Sequence, residues 1–229
     1  MSRHPRGSST TPLSTAPMSP SAIPDLAILP APVAANTLPV GQLVTKSAKL
    51  DPTTLEDRDY DDVGTRWYKD VILISSENGQ FTTSLGAAHL INNRELQAGS
   101  EVGTIEAEQM RVRMLKDEGA SLKKAFQDKQ AAEWVKAQVQ SGEEVGFVTA
   151  AREVTNASYK RARLVDIGNG NWEVIREVGG EGQDGKRRDS GLEVHTGSKS
   201  DVVGVIVKKV QLTGDQVELG EELSTQFWA

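Results

Sequence analysis

Three basic clusters are the side chains of this chain whose type and spacing point to chemistry. They are Lys160-Arg161 with Arg163, Lys186-Arg187-Arg188, and Lys208-Lys209. All three lie at or near the ends of segments that read as strands. Lysines and arginines in such places protect sheet edges from pairing with other chains. They also form an electrostatic footprint for an anionic membrane surface, where each basic residue contributes about 1 kcal/mol. The chain as a whole has a net charge of -6, so bulk electrostatics do not favour nucleic acid as a partner.

Other chemistries find little support. The chain has no cysteine, which excludes disulfides, thiol catalysis and cysteine-based zinc sites. His4, His89 and His195 are far apart and form no metal-ligand spacing. Gly180 to Lys186, GEGQDGK, has the outline of a phosphate loop, but Arg187 stands where a Ser or Thr would hold magnesium. Gly168-Asn169-Gly170 reads as a hairpin turn. No G-x-S-x-G elbow is present, and the Asn156-Ala157-Ser158 sequon counts for little without a secretory signal. No catalytic residue, metal or cofactor is assigned, and the chain is read as not an enzyme.

The elements that position the basic clusters run from Gly142 to Leu212. Glu143 to Val165 reads as one unusually long strand, Asn171 to Val178 as a second, and Ser190 to Leu212 as a third. The last is apolar on both faces at Val202 to Val207, as suits a central strand. Earlier, Val40 to Val44 reads as a short strand and Asp51 to Asp62 as an acidic loop. Arg66 to Ile74, RWYKDVILI, is a strand dense in aromatic and β-branched residues. Asn78-Gly79 then turns the chain into a return strand, Phe81 to Leu85. Ala87 to Ser100 is ambiguous between helix and strand. Ile105 to Gln140 is expected to be helical, capped by Thr104, broken at Gly119, and continued as a second helix from Ser121 until Ser141-Gly142.

All nine prolines lie at or before Pro52. Residues 1–36 are therefore expected to be a disordered leader, with at most a helical turn between Ala22 and Ala35. No apolar run approaches the roughly 20 residues of a membrane-spanning helix, so any contact with a bilayer is expected from the aqueous side. The expected fold class is α+β, a twisted, mostly antiparallel sheet with flanking helices.

A strand rich in aromatic and β-branched residues, a pair of helices, a long strand, a hairpin, a Gly-rich charged loop and a closing strand form a recognisable order. The chain resembles the pore-forming N-terminal domain of gasdermins, in particular the small fungal gasdermin-like cell-death proteins. The resemblance rests on EEVGFVTAAREV (Glu143 to Val154), GLEVHTGSKSDVVGVIVKKVQL (Gly191 to Leu212) and RWYKDVILI. It implies a pore-forming domain over residues 37–212 and a short acidic C-terminal tail over 213–229 that acts as an inhibitory segment. It implies binding to acidic phospholipids, assembly into a homo-oligomer or a hetero-oligomer with an allelic relative, and insertion of two β-hairpins into a barrel. These hairpins correspond to Gln80 to Thr104, and to Val145 to Val165 with Val194 to Val210. The lipid-contacting set becomes Lys46, Lys49, Arg66, Lys69, Lys160, Arg161, Arg163, Lys186, Arg187, Arg188, Lys208 and Lys209. The resemblance further implies activation by a protease or a partner protein. It implies a cytoplasmic location before activation, a membrane location after it, and regulated cell death of the heterokaryon-incompatibility type as the outcome. Two features depart from the family: the first hairpin region is short, and the leader is proline-rich where the family starts with a basic helix. The alternative reading is a soluble α+β binding or scaffolding module without membrane activity.

Overall fold

The computed structural model describes residues 26–86, 90–92, 96–97, 100–176, 194, 196–214, 216–224 and 227. The strands are β1 (Ala27–Ala34), β2 (Leu43–Val44), β3 (Lys49–Leu50), β4 (Tyr60–Ile74), β5 (Phe81–Gly86), β6 (Leu90–Asn92) and β7 (Glu101–Leu115). Two helices follow, α1 (Glu118–Ala125) and α2 (Lys129–Gln140). The chain then forms β8 (Gly146–Thr155), β9 (Ser158–Gly168), β10 (Asn171–Arg176), β11 (Ser200–Thr213) and β12 (Gln216–Glu222). The fold is α+β, with one curled, antiparallel sheet among the described residues. No helix among the described residues is long and apolar enough to cross a membrane, which says nothing about crossing by strands.

The centre of the sheet is β7. It pairs along its whole length with β4, from Tyr60 opposite Leu115 to Ile74 opposite Glu101. Its other edge carries β8 and then β9 in one unbroken register. Gln109 faces Thr155 and Glu106 faces Ser158, three residues on along both strands. The extended path from Glu143 to Val165 expected from sequence therefore exists as two strands, divided at Asn156, whose φ of 50° is left-handed. On the far side of β8 lies β11, followed by β1 and β12. β10 pairs with β9 through the Gly168-Asn169-Gly170 turn, as the sequence suggests.

Three expectations are corrected. Residues 105–115 are strand, not helix. Met110, Met114 and Leu115 fit a helical stripe. However, Met110 and Val112 are buried and alternate with exposed Arg111, and partners on both edges complete the ladder. Thr104 lies buried inside β7. The first helix starts instead at Asp117, whose Oδ1 accepts from Ala120 N at 2.8 Å. The helix expected from Ser121 is split, because Asp128 caps a new start through Gln130 N at 2.9 Å.

The second correction is at the N-terminal side. Ala27–Ala34 is a strand and not part of a leader or a helical turn. Leu26, Ile28 and Leu29 are buried. Pro30 and Pro32 fall in the irregular stretch between two paired segments, Ile28 opposite Gly204 and Val33 opposite Val202, where a missing N–H costs no ladder bond. Third, Tyr60 to Asp62, placed in an acidic loop, open β4. The turn at Asn78-Gly79 and its return strand form as expected, with Ile74 opposite Phe81. The tail forms β12 along β11, and Val217, Leu223 and Phe227 are buried.

Two cores result. One lies between the sheet and the helices and joins Leu43, Val44, Leu122, Val135, Phe147 and Val205 with the tail residues Leu223 and Phe227. Gly146 is required there, since a Cβ would lie 2.5 Å from Val207 Cγ1 and 3.1 Å from Leu223 Cδ1. The other fills the concave side of the curl, with Ile28, Ile72, Phe81, Ile105, Val112, Val154 and Ile206.

Candidate functional site

The structure does not gather the basic residues into one patch. Lys208 and Lys209 lie on β11 opposite Phe147 and Gly146, the same residues that pair with β2. Lys46 follows β2 and Lys49 sits on β3. These four occupy one end of the sheet. Lys69, Lys160, Arg161 and Arg163 lie toward the other end, on strand residues opposite Glu101 to Glu106 of β7. Arg66 lies opposite Gln109, near the middle of β4, and is exposed. Lys186, Arg187 and Arg188 lie outside the described residues, as do Gly180 to Lys186 and the three histidines.

Many of these cations already have partners within the fold. Lys208 pairs with Glu118 at the start of α1, and Lys209 Nζ lies 2.7 Å from Glu144 Oε1. The Glu144 hydrogen bond raises the Lys209 pKa above its ordinary value. Arg161 pairs with Glu101, and Lys69 Nζ lies 3.6 Å from Glu106 Oε1. Lys49 Nζ donates to the carbonyl of Thr37 at 3.0 Å. All are exposed or half-exposed, so each pair contributes little to stability, about 0–1 kcal/mol. They do mean that a competing anion at these positions displaces an internal carboxylate or carbonyl.

Sequence reasoning missed the most heavily partnered polar group of the described chain. Asp70 of β4 is 2% exposed. Its Oδ2 accepts from Tyr68 Oη at 2.9 Å and Ser84 Oγ at 2.9 Å; its Oδ1 accepts from Val71 N at 2.8 Å and Gly86 N at 3.1 Å. Arg152 Nη1 of β8 lies 3.6 Å from Asp70 Oδ2 and donates to Tyr68 Oη at 3.2 Å. Burial, then the Asp70 charge, pushes the Tyr68 phenol well above its ordinary pKa. A related junction joins Tyr159 of β9 to Asp201 of β11. Tyr159 Oη donates to Asp201 Oδ2 at 2.8 Å and Thr196 Oγ1 bonds Oδ1. Burial again raises that phenol strongly. The signal available in sequence was an acid and a base, Asp70 and Arg152, each bordering the apolar run of its strand, Val71 to Ile74 and Gly146 to Ala151.

A cavity of about 370 Å³ opens on the outer side of the sheet beside Trp67, lined also by Lys69, Glu106, Glu108 and Asn156. Trp67 is 82% exposed and has a left-handed φ of 57° in mid-strand. Among the described residues no cluster of His, Cys, Asp or Glu is arranged to hold a metal ion.

No protein-family model matches the chain, and no curated protein matches it. Among solved structures, a bacterial gasdermin from Bradyrhizobium tropiciagri is similar at a TM-score of 0.32 and 8% identity. That similarity covers 87% of this chain and 88% of that one. At this degree of overlap no residue role or activity carries over from that protein.

Proposed function

We propose that this chain permeabilises membranes as a gasdermin-like, pore-forming cell-death protein. One observation carries the reading: β4, β7 and the β8–β9 path form a continuous three-stranded ladder in one register, flanked by β11 of 14 residues. β4 and β7 have 15 residues each. A straight strand of that length covers about 50 Å, ample for a hydrocarbon layer of roughly 30 Å crossed at a tilt. A closed barrel of such strands satisfies every backbone group in lipid. In this reading acidic phospholipid binds the basic residues, copies of the chain assemble, and two hairpins insert: Gln80 to Thr104, extended by the β4 and β7 strands that flank it, and Val145 to Val165 with Val194 to Val210. Lys186 to Arg188 then lie between the limbs of the second hairpin. The tail strand β12 holds β11 in the closed form until a protease or a partner protein removes it. The protein is cytoplasmic before that step and membrane-bound after it.

The internal pairing of Lys69, Arg161, Lys208 and Lys209 favours the other reading, a binding or scaffolding module. Dye release separates the two. Vesicles containing acidic phospholipid should leak on addition of the protein, vesicles of neutral lipid should not, and added salt should weaken the effect. Charge reversal at Lys186, Arg187 and Arg188 should reduce leakage. Intact acidic vesicles, with protein treated to release the tail, would reject the pore reading.

A further inference from the structure

The ladder of β4, β7 and β8–β9 is not straight, and the register shows how far it curls. Asp70 lies opposite Ile105 on β7, whereas Arg152 lies opposite Val112. Seven residues of straight strand separate these rows by about 23 Å, beyond the reach of an Arg and an Asp side chain. Yet the guanidinium and the carboxylate are 3.6 Å apart. The two halves of the ladder therefore face each other across the concave core, which contains Ile72 and Ile105 from one half and Val112 and Val154 from the other.

The midpoint between those rows is marked in all three strands. Trp67 on β4 and Asn156 after β8 flank Glu108 of β7, and both have left-handed backbones, with φ of 57° and 50°. A bulky residue such as tryptophan adopts that conformation only under constraint. Asn156 Nδ2 donates to Glu108 Oε2 at 2.7 Å. Side-chain parity inverts at the same row. Ile105 and Ala107 point to the concave core before it, Met110 and Val112 after it, with Glu108 and Gln109 both exposed between.

We propose that Asp70, Arg152 and Tyr68 form a clasp that holds the ladder curled, and that the Trp67–Glu108–Asn156 row is the hinge about which it straightens. Asp70 also anchors β5, through Ser84 Oγ and Gly86 N, so opening the clasp frees the edge of the first candidate hairpin at the same time. Its counterpart is incompletely satisfied: Arg152 Nε is buried without a hydrogen-bond partner among the described residues. The pair suits this role because the curled form depends on both partners: removing one leaves the other desolvated without its counter-charge, a strongly unfavourable state. The use of the straightened ladder in a bilayer rests on the pore reading; the clasp and hinge do not.

The absence of cysteine makes the test direct. Spin labels at Asp61→Cys and Thr83→Cys, both exposed, sit in opposite halves of β4 and its partner β5. Twelve residues of straight β4 separate their rows, about 40 Å. Pulsed electron resonance without lipid should give one short distance for the labelled parent chain. Asp70→Asn, which leaves Arg152 without its counter-ion in the curled form, should raise the population near 40 Å by about tenfold or more. An unchanged distribution in that variant, with native circular dichroism, overturns the clasp. If the variant does not fold, Tyr68→Phe, which removes only the hydroxyl, decides. A rise of about threefold is expected, and no rise overturns the proposal. Leakage is read separately: longer distances without dye release would keep the clasp and reject the pore.

Discussion

The core beneath the helices and the concave core of the ladder share strands β8 and β11 but are closed in different ways. The first joins Leu43, Phe147, Leu122, Val135 and Phe227 in one apolar cluster. The second lies beside a buried carboxylate and a half-buried guanidinium, joined to it through Tyr68. Hydrophobic burial is non-directional and is lost only when the elements separate. A buried ion pair is directional, and its value depends on both partners being present. The contrast assigns permanence to the helix-covered side of the sheet and reversible closure to its concave side. The tail packs into the apolar core through Leu223 and Phe227, so its release in the proposed activation requires a protease or a partner and does not follow from opening of the clasp.

The contrast is broken most severely in the apolar core. Phe147 is fully buried, and Phe147→Ala should lower stability by about 3–5 kcal/mol in urea denaturation. The distance between labels in the folded fraction should stay short, because the clasp is untouched. Asp70→Ala leaves Arg152 buried without its counter-ion and should cost about 3 kcal/mol. Here Arg152→Met added to Asp70→Ala should restore part of the loss, by about 1 kcal/mol or more in a double-mutant cycle. A cycle that closes additively would remove the distinction between the two cores.

A smaller effect is expected in alkali. Tyr60, Tyr68 and Tyr159 are the chain's three tyrosines, and burial raises the pKa of each. Unfolded tyrosine loses its proton near pH 10, while the folded phenols keep theirs to higher pH. Above that point the unfolded state binds fewer protons, so this contribution is complete below about pH 10 and falls as pH rises further. Tyrosinate absorbance should therefore appear together with unfolding. Ordinary titration near pH 10 with the fold intact would contradict the burial of Tyr68 and Tyr159 that defines the concave side.

Much of the frame was legible from residues alone. RWYKDVILI and Asn78-Gly79 marked a strand and its turn, and the apolar run Val202 to Val207 marked a strand buried on both faces. The β7 segment was misread because Glu106, Glu108 and Gln109 carry helical propensity, while the alternation of Arg111 and Arg113 with Met110, Val112 and Met114 is a strand signal. Partners on both edges decided between them. β1 was hidden by its prolines, which composition counts against order and which the register places in a bulge. The basic residues were visible as charges, but their partners were not: Glu118 and Glu144 meet Lys208 and Lys209 only after folding. The Asp70–Arg152 pair was hidden for the same reason, since its distance depends on the curl of three strands at once.

Native-state hydrogen exchange compares the two cores within one molecule. Amides of β5 from Thr83 to Gly86, the edge anchored by Asp70, should exchange through an opening well below the free energy of global unfolding, and Arg152→Met, which leaves Asp70 without its counter-ion, should accelerate them selectively. Amides of Phe147 and Val148 should exchange only by global unfolding. Equal protection in both groups, unaffected by the substitution except through overall stability, would contradict a sheet with one permanent core and one that opens.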